Sequence, residues 1–462
     1  MTIDLHFESL RSYRQGMLIL SHGHGFRLIF FLTAGLFLTV ASATFAQSPN
    51  PQPKIVRQIL IQGNDDTREE TILREMKLKP GDAFDEDKLE QDRLQIQNLG
   101  IFNRVEMDQI PTNSGVIIVV TVSEMWHIFP YPIIFRNDRA WRRVSYGAGL
   151  LNTNFRGRRE VLDFSGWLGF NPALNLKYSN PWIFGAAKFY TDISFFIKKV
   201  RNRTFTVLDS VVNEEQIGFR ATLGKRFGHF TYFDMKIGYR QLSFLGDINA
   251  TLSPSGKDHL PSLGFAFRYD SRDLHEYPHK GHYLNVWATQ TGFRSKTVDY
   301  LRYGLDIREY FPLKDATFAF RLATNLAKGK IPVYEQVHLG FLTRIRGHFR
   351  EKSIGENIAV ASAALRFPIL PVKYFTWGPF DETMGQYGAN FRYGVSGGVF
   401  YDTGKIWFDN LADGADFNKA KRISGWGGGL HLFMPYNLIL RLEGAFDEDW
   451  NSQFIVDAMV AF

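Results

Sequence analysis

The chain has 462 residues and a formal net charge of +7, long enough for two or three average domains or for one large barrel with a small domain. It contains no cysteine, which excludes disulfides, thiolate metal sites and a cysteine nucleophile. Its basic residues are scattered among acidic ones, so we expect no nucleic-acid partner. Aromatic residues make up 15% of the chain and 41 residues are glycine, a combination typical of a closed antiparallel sheet that faces lipid.

Residues 1–46 have the pattern of a secretory signal peptide. An uncharged apolar run at 28–40 is followed by Thr44 and Ala46, which are small residues suited to a cleavage site. An uncleaved anchor helix is the alternative interpretation, and Met17 is an alternative start to Met1. No other stretch offers the ~20 apolar residues that a membrane-spanning helix needs. We therefore expect an exported protein that helices do not hold in a membrane.

After a polar, proline-rich linker at residues 47–53, residues 54–125 predict a small domain with the element order β-α-α-β-β. Thr67 and Glu70 have the spacing of a capping box, so a first helix is expected to begin there. A second helix is predicted at 85–99. Together with three strands, these helices can enclose an independent core.

From residue 127 to residue 462 the pattern is an alternation with a period of two. In one example, Phe233, Met235 and Ile237 alternate with Asp234 and Lys236. One face is apolar and the other carries charges and glycines, which is typical of a membrane barrel with a polar lumen. A soluble sandwich shows the same period. The signal segment and the strand lengths favour the transmembrane β-barrel.

The alternation predicts sixteen antiparallel strands, an even number that suits closure of the sheet. They lie at residues 127–136, 143–152, 159–169, 173–179, 186–199, 215–226, 229–242, 261–270, 281–293, 297–311, 314–327, 357–369, 391–401, 423–434, 436–446 and 452–462. One face of the last strand carries Phe454, Val456, Ala458, Val460 and Phe462. We interpret this face as the signal that directs insertion of the barrel itself.

The first predicted barrel strand contains Pro130 and Pro132. Proline cannot donate a hydrogen bond to a ladder, so paired prolines belong on the edge of a sheet. If this strand meets the sixteenth, the missing donors weaken that seam and permit it to open sideways. The alternative is that both prolines lie in a linker between the small domain and the barrel.

Several motifs carry a resemblance to a known family. The small domain resembles a polypeptide-transport-associated (POTRA) domain, on the residues Ile59, Gly63, Asn64, Thr67, Ile72, Gly81, Gly100, Phe102 and Val105. The barrel resembles the outer-membrane assembly superfamily, in the BamA/TamA-like surface antigen family. The matching segments are 154–157, 180–185, 344–348, 365–368, 401–404 and a turn motif formed by Asp270, Ser271, Arg272, Asp273, Pro278 and Gly281. We interpret this turn motif as structural, because its polar side chains suit a turn.

The resemblance implies a lumen loop at residues 328–356, whose motif is Ile345, Arg346, Gly347 and His348. In the family, the arginine of this motif pairs with carboxylates on the inner wall, and Asp402 is the acceptor by position. Relatives commonly have a further acidic residue where this chain has Ala364. A single carboxylate can still make a bidentate pair with a guanidinium. A solvated basic loop tip is the alternative interpretation.

No arrangement of residues predicts catalysis. Residues 394–398 match the letters G-x-S-x-G, but they lie inside a predicted strand and not at a strand–turn–helix elbow. His279 and His282 flank a turn without a third ligand. We expect no enzymatic activity, no cofactor and no metal site.

The resemblance implies an assembly factor that inserts β-barrel client proteins into the cell outer membrane, with its POTRA domain in the periplasm. The expected partners are unfolded outer-membrane proteins, outer-membrane lipid, and periplasmic chaperones or accessory lipoproteins. A single POTRA domain favours a specialised or auxiliary member. The main alternative is a two-partner-type transporter that exports a soluble partner through the lumen. A barrel hydrolase and a passive porin are further alternatives.

Overall fold

The structure is a computed structural model that describes residues 54–136, 142–202, 212–245, 251–293, 297–339, 343–348, 353–378, 382, 385–409 and 421–458. The predicted signal segment and linker, as well as Val460 and Phe462, lie outside these residues. Within the described part of the chain, no helix combines the length and the apolar character needed to cross a membrane.

The small domain is a three-stranded sheet that packs against two helices. β1 (Val56–Gln62) runs parallel to β3 (Gly115–Glu124), and β2 (Phe102–Thr112) runs antiparallel to β3 on its other side. The helices are α1 (Glu69–Leu73) and α2 (Glu86–Gln97). Helices and strands share one apolar core, which includes Ile72, Met76, Ile96, Phe102, Ile118 and Val120.

The capping box predicted at the start of α1 is not formed. Arg68 occupies the N-cap position and makes no capping hydrogen bond with its side chain. The backbone amide of Thr67 donates to Oε1 of Glu124 at 2.7 Å, and its hydroxyl accepts a hydrogen bond from Asn154 of the barrel at 2.8 Å. The hydroxyl that would cap the helix is therefore used in a tertiary contact.

In the described part of the chain, sixteen strands form one antiparallel sheet, in agreement with the predicted barrel. The strands up to the lumen loop are β4 (Ile128–Arg136), β5 (Val144–Phe155), β6 (Glu160–Gly169), β7 (Ala173–Ile183), β8 (Phe189–Asn202), β9 (Val212–Phe227), β10 (Thr231–Leu245), β11 (Lys257–Asp270), β12 (Gly281–Thr291), β13 (Asp299–Leu313) and β14 (Ala316–Lys330). The short strands β15 (Val337–Leu339) and β16 (Ser353–Gly355) pair with each other inside the loop. The sheet continues with β17 (Asn357–Phe375), β18 (Phe391–Trp407), β19 (Lys421–Phe433), β20 (Ile439–Asp447) and β21 (Ser452–Asp457).

Alternate side chains face the two surfaces of the sheet as predicted. On β10, Phe233, Met235 and Ile237 are 38–46% exposed, whereas Asp234 and Lys236 are 1% and 7% exposed. Charged residues are thus inside and apolar residues outside, which is the arrangement of a membrane barrel and the reverse of a soluble sandwich.

Aromatic contacts between distant strands show that the sheet curls into a barrel. The ring of Tyr277, between β11 and β12, lies 4.9 Å from that of Phe433 on β19. The two ends of the sheet also approach each other, because Phe129 on β4 lies 5.8 Å from Tyr436 in the turn between β19 and β20.

β17 and β18 each run six residues beyond their predicted ends. β17 continues to Phe375 instead of ending at residue 369, and β18 ends at Trp407 instead of residue 401. The ladder between these strands shifts register at two places between Pro368 and Lys373. Such shifts break the period of two, so the continuation of β17 could not be read from the alternation.

Pro130 and Pro132 lie within β4, at the edge of the sheet and not in a linker. The carbonyl of His127 accepts a hydrogen bond from the amide of Thr153 at 2.9 Å, so odd-numbered positions of β4 bond to β5 and even-numbered positions face away from it. Both proline nitrogens therefore point to the free side of β4. No ladder joins β4 to β21 within the described residues.

Candidate functional site

The loop between β14 and β17 enters the barrel lumen. Its described parts are residues 331–339, 343–348 and 353–356. Ile345 is completely buried in a cluster that joins the loop to the inner wall, together with Leu339, Ile358, Val360, Ile406 and Ile423. The loop tip is therefore not a solvated basic tip.

Arg346 forms a bidentate ion pair with Asp402 on β18. Its Nε donates to Oδ2 and its Nη2 donates to Oδ1, both at 2.7 Å, and its backbone amide donates to Oδ2 at 3.2 Å. The guanidinium also lies over Phe400, with its Cζ 3.6 Å from the ring centroid. Because both charged side chains are buried, the planar donor set of arginine holds the loop at one place on the wall.

A second carboxylate reaches Arg346 from β20, at a position that was not predicted from the sequence. Nη1 of Arg346 donates to Oε1 of Glu443 at 3.0 Å, and the Glu443 side chain is 1% exposed. Ala364, where the resemblance led us to expect an acidic residue, lies three strands away on β17 and packs with Phe400. The clamp therefore has two carboxylates in spite of Ala364. The only sign in the sequence was the inward-facing position of Glu443 in an alternating strand.

Glu443 also connects the lumen loop to the end of the sheet. Nη1 of Arg441 lies 3.5 Å from Oε2 of Glu443, and Nη2 of Arg441 donates to Asp457 on β21 at 2.7 Å. On the other side, Nε2 of His431 lies 3.3 Å from Oε1 of Glu443, and its Nδ1 lies 2.8 Å from the hydroxyl of Tyr277. One buried polar network thus extends from the loop to the strand beside the seam.

The close approach of loop and wall depends on two glycines. Gly347 has a φ of 101°, and a Cβ there would lie 2.7 Å from the carbonyl oxygen of Phe446. On the facing strand, a Cβ on Gly425 would lie 1.8 Å from the carbonyl oxygen of Arg346. Any side chain at either position would push the arginine away from its carboxylates.

His348 fixes the far side of the loop tip. Its Nε2 lies 2.6 Å from Oε2 of Glu448 and 3.0 Å from the carbonyl oxygen of Ser424. Partial burial opposes ionisation of Glu448, but hydrogen bonds from backbone amides and from His348 outweigh it and lower the pKa of this carboxyl. His348 therefore adds a third polar contact to the two carboxylates that hold Arg346.

A second anchor holds the other arm of the loop against a different part of the wall. Glu335 pairs with Arg240 of β10 and accepts a hydrogen bond from the hydroxyl of Tyr300 on β13 at 2.8 Å. The hydroxyl of Tyr334 donates to Asp258 on β11 at 2.6 Å. Burial opposes ionisation of Glu335, but the nearby arginines outweigh it and lower its pKa. The loop is thus attached to β10–β13 at one arm and to β18–β20 at its tip, and it crosses the lumen between them.

The small domain is fixed to one rim of the barrel, which we call the domain rim. It includes the turns at 156–159, 228–230 and 271–280, together with residues 376–378 and 385–390 between β17 and β18. The carbonyl oxygen of Gly157 accepts hydrogen bonds from the amide of Arg68 at 3.0 Å and from the hydroxyl of Thr71 at 2.9 Å. The 154–157 segment, which carried part of the family resemblance, is therefore a binding point for the small domain.

The turn motif that begins at Asp270 is a second binding point. Asp270 pairs with Arg272 through two hydrogen bonds of 2.8 Å. The side chain of Asn98, at the end of α2, donates to the carbonyl oxygen of Asp273 at 2.8 Å and accepts from the amide of His275 at 2.9 Å. The motif is a polar turn, as interpreted from the sequence, but its contact with the small domain was not predicted.

The remaining members of this motif shape the turn. The amide of Ser271 donates to the carbonyl oxygen of His282 at 2.9 Å. Gly281 has a φ of 112°, and a Cβ there would lie 2.4 Å from the carbonyl oxygen of Ser271. Pro278 is buried. These contacts hold the turn in the conformation that receives Asn98.

A buried ion pair completes the junction between the small domain and the barrel. Nη2 of Arg226, at the end of β9, lies 2.7 Å from Oε2 of Glu75, and both side chains are at most 10% exposed. Burial opposes ionisation of Glu75, but Arg226 and Arg74 outweigh it and hold the pKa of this carboxyl below its usual value. In the adjacent turn, burial and Arg226 lower the pKa of His229 to about 4.

The predicted C-terminal insertion signal is described only in part. Phe454 on β21 points outward and is 68% exposed. Val456 lies on the same face, and Ala458 follows the end of the strand. The role of these residues in insertion stays a prediction.

A sixteen-stranded barrel with a lumen loop and one preceding domain defines a class of outer-membrane β-barrel proteins. The model of the Omp85 superfamily domain matches residues 154–454. The POTRA model, described as a surface antigen variable number repeat, matches residues 54–125. The chain belongs to the Omp85 superfamily, which confirms the resemblance and indicates an outer-membrane location.

Solved structures that share this fold include BamA and CdiB proteins. BamA from Haemophilus ducreyi lacking POTRA domains 1–3 is 18% identical, with a TM-score of 0.50, over 88% of this chain and 83% of that chain. CdiB from Escherichia coli is 12% identical, with a TM-score of 0.53, over 88% of this chain and 75% of that chain. At these identities the similarity concerns the fold.

Proposed function

We propose that this protein inserts β-barrel client proteins into the outer membrane, with its POTRA domain in the periplasm and without covalent chemistry. The observation that carries the proposal is the orientation of Pro130 and Pro132, whose nitrogens both face the free side of β4. The boundary between β4 and β21 therefore lacks two donors that an ordinary ladder has. Such a boundary costs less to open than a ladder with its full set of hydrogen bonds.

An open β4 edge can receive a client strand by β-augmentation. Its even-numbered carbonyl oxygens, and the amides of Ile128, Ile134 and Arg136, face the side that a new strand would occupy. A client strand bound there would lie at the barrel wall, next to lipid. This position suits release into the membrane.

The lumen loop supports a sideways path over an axial one. Arg346 and Glu335 attach the loop to two different parts of the wall, so the loop crosses the route that a soluble cargo would take. The alternative function, export of a soluble partner through the lumen, requires the loop to leave both attachments. Opening the β4 edge leaves both in place.

The test uses purified protein in lipid vesicles and a urea-denatured β-barrel client. We expect the vesicles to accelerate client folding over empty vesicles, measured by the gel shift of unheated samples. The variant with Pro130→Ala and Pro132→Ala restores two donors, so it should slow the reaction several-fold. Pro312→Ala on β13 is the matched control and should leave the rate unchanged.

A cellular measurement separates the two functions. After depletion of the protein, a fall in several integral outer-membrane barrels with an unchanged secreted fraction supports insertion. Loss of one secreted protein alone would show a dedicated transporter. Vesicles that fold the client no faster than empty ones would contradict the proposal directly.

A further inference from the structure

The hairpin of β17 and β18 extends beyond the neighbouring strands of the domain rim. The ladder between β14 and β17 ends at the pair Thr317–Arg366, and continuing its register places the turn residue Asp315 level with Pro368. The seven residues 369–375 of β17 lie beyond this level, which corresponds to ~23 Å of strand. We call residues 369–378 and 390–393 the hairpin extension.

Large apolar side chains of the hairpin extension are exposed on both faces. On β10, by contrast, the lumen-facing residues Asp234 and Lys236 are 1% and 7% exposed. In the extension, Ile369, Val372, Tyr374, Phe375, Trp377 and Tyr393 are 38–55% exposed. These exposures remain with the small domain in its place. A contiguous apolar surface of this kind marks an interaction site.

Within the described residues, the small domain contacts the tip and one side of this hairpin. The side chains of Asn103 and Ser123 donate to the carbonyl oxygen of Ala389 at 3.1 and 3.3 Å. The guanidinium of Arg104 lies 4.7 Å from the ring of Tyr374. The contact fixes the extension to the POTRA domain, and no part of the chain that the structure describes covers the outward side chains.

The free backbone edge of the hairpin extension does not suit strand addition. Pro368 and Pro371 remove donors from β17, and the ladder with β18 shifts register twice between Pro368 and Lys373. Prolines, bulges and an edge lysine are features that prevent a strand from extending a sheet. A partner of this surface is therefore bound through side chains and not through a backbone ladder.

We propose that the partner is the lipid bilayer, and that the hairpin extension lies in the interfacial layer of the periplasmic leaflet. Its outward face continues the lipid-facing face of the same strand, where Leu365 and Phe367 are 37% and 41% exposed. Tyrosine and tryptophan favour the membrane–water interface, because their rings are apolar and carry one polar group. Lys373 places a positive charge near lipid phosphates.

This contact has a consequence for the POTRA domain. The tip of the hairpin is hydrogen-bonded to the domain, so a hairpin held in the leaflet also holds the domain close to the membrane surface. The proposal does not depend on whether the barrel inserts or exports its cargo.

The absence of cysteine from the chain makes the test direct, because each introduced cysteine is a unique site for a nitroxide label. The labels are placed by Val372→Cys and Trp377→Cys in the full-length protein, in vesicles of phosphatidylethanolamine and phosphatidylglycerol. Phe367→Cys is the lipid-facing reference, and Glu69→Cys, on the exposed surface of α1, is the aqueous reference. The measurement compares collision rates with oxygen and with a water-soluble nickel chelate.

We expect both hairpin labels to behave like the label at residue 367, with high oxygen and low nickel accessibility. If both behave like the label at residue 69, the proposal is wrong. If nickel accessibility falls only when a urea-denatured client is added, the surface binds client protein and not lipid, which also overturns the proposal. Retention of the gel shift of the unheated barrel shows that each variant is folded.

Discussion

The carboxylate of Asp402 accepts two parallel hydrogen bonds of 2.7 Å from the guanidinium of Arg346, across 56 positions of the sequence. This ion pair attaches the lumen loop to the inner wall of the barrel. Its planar geometry, in addition to its charge, determines where the loop lies.

Arg346→Met should release the loop tip, because it leaves two buried carboxylates without their partner. Breaking such a pair costs about 3–5 kcal/mol. The protease resistance and unfolding temperature of Arg346→Lys should lie between those of Arg346→Met and the parent protein, since lysine keeps the charge without the planar guanidinium. Trypsin cleavage within residues 328–356 and the unfolding temperature of the barrel measure both effects. Arg422→Met, at an exposed position, is the control. Equal protease resistance of Arg346→Lys and the parent protein would show that charge alone suffices.

Glu443→Ala should also loosen the loop, but less than Arg346→Met, because Asp402 remains in place. Introducing Ala364→Asp into this variant should restore part of the protease resistance, since residue 364 faces the lumen beside Phe400. Alone, Ala364→Asp should destabilise the barrel, because it buries a carboxylate next to a clamp that is already complete. If the double variant is less resistant to protease than Glu443→Ala, a carboxylate at residue 364 does not reach Arg346.

Glu335→Ala should detach the other arm of the loop without changing the Arg346 contacts. Arg240 and the hydroxyl of Tyr300 would then lose their buried acceptor. We expect a higher and noisier ionic conductance in planar bilayers, because the loop occupies less of the lumen. Asp315→Asn, in an exposed turn, should leave the conductance unchanged. An unaltered conductance in Glu335→Ala would mean that the tip, together with the hydrogen bond from Tyr334 to Asp258, keeps the loop in the lumen.

Acid should weaken the attachment of the small domain to the barrel. His229 has a pKa lowered from 6.5 to about 4 in the docked state, so its contribution is complete above pH 6.5 and is lost as the pH falls towards 4. Glu75, also with a lowered pKa, loses its contribution as the pH falls below its ordinary value of 4.5. Both shifts have the same sign.

The distance between spin labels at Asp87→Cys and Lys314→Cys measures this attachment. We expect one narrow distance distribution at pH 7.5 and a broader one as the pH approaches 4. His229→Gln should remove the part of the change above pH 4.5 and keep the part that depends on Glu75. A distribution that stays narrow down to pH 4 would show that the hydrogen bonds of Gly157 and Asn98 suffice for docking.

The sheet could be predicted because its two faces meet different environments. The alternation along β10 arises because one face of the sheet contacts lipid and the other a polar lumen. Charged residues at lumen-facing positions show the same pattern in the other strands. The start of β17 at Asn357 was predicted correctly, but its C-terminal end could not be predicted in this way, because Pro368 and Pro371 accompany shifts in register. A pattern with a fixed period carries no information past such a shift.

The candidate site was predictable only where one motif carried it. Arg346 and Asp402 lie in segments that resemble the family, and the structure brings them together. Glu443 has no motif of its own and reaches Arg346 because the barrel curves. In the same way, the spacing of Thr67 and Glu70 predicted a helix cap. In the structure, the side chain of Asn154, which is distant in sequence, donates a hydrogen bond to the hydroxyl of Thr67. Contacts between domains depend on positions that local spacing does not encode.

The two prolines of β4 have a consequence for how a reaction cycle at this edge would end. A proline nitrogen carries no hydrogen, so the number of backbone donors missing from the β4 edge does not vary with pH, ligand or any source of chemical energy. A client strand brings its own amides, yet it cannot supply those that β4 lacks. The ladder between the client strand and β4 therefore has fewer hydrogen bonds than a full ladder. The ladder that the client strand forms with the last strand of its own barrel is complete. Under the proposed function, the missing donors of β4 both allow the client strand to bind and allow it to be released. The cycle of binding and release then requires no source of chemical energy.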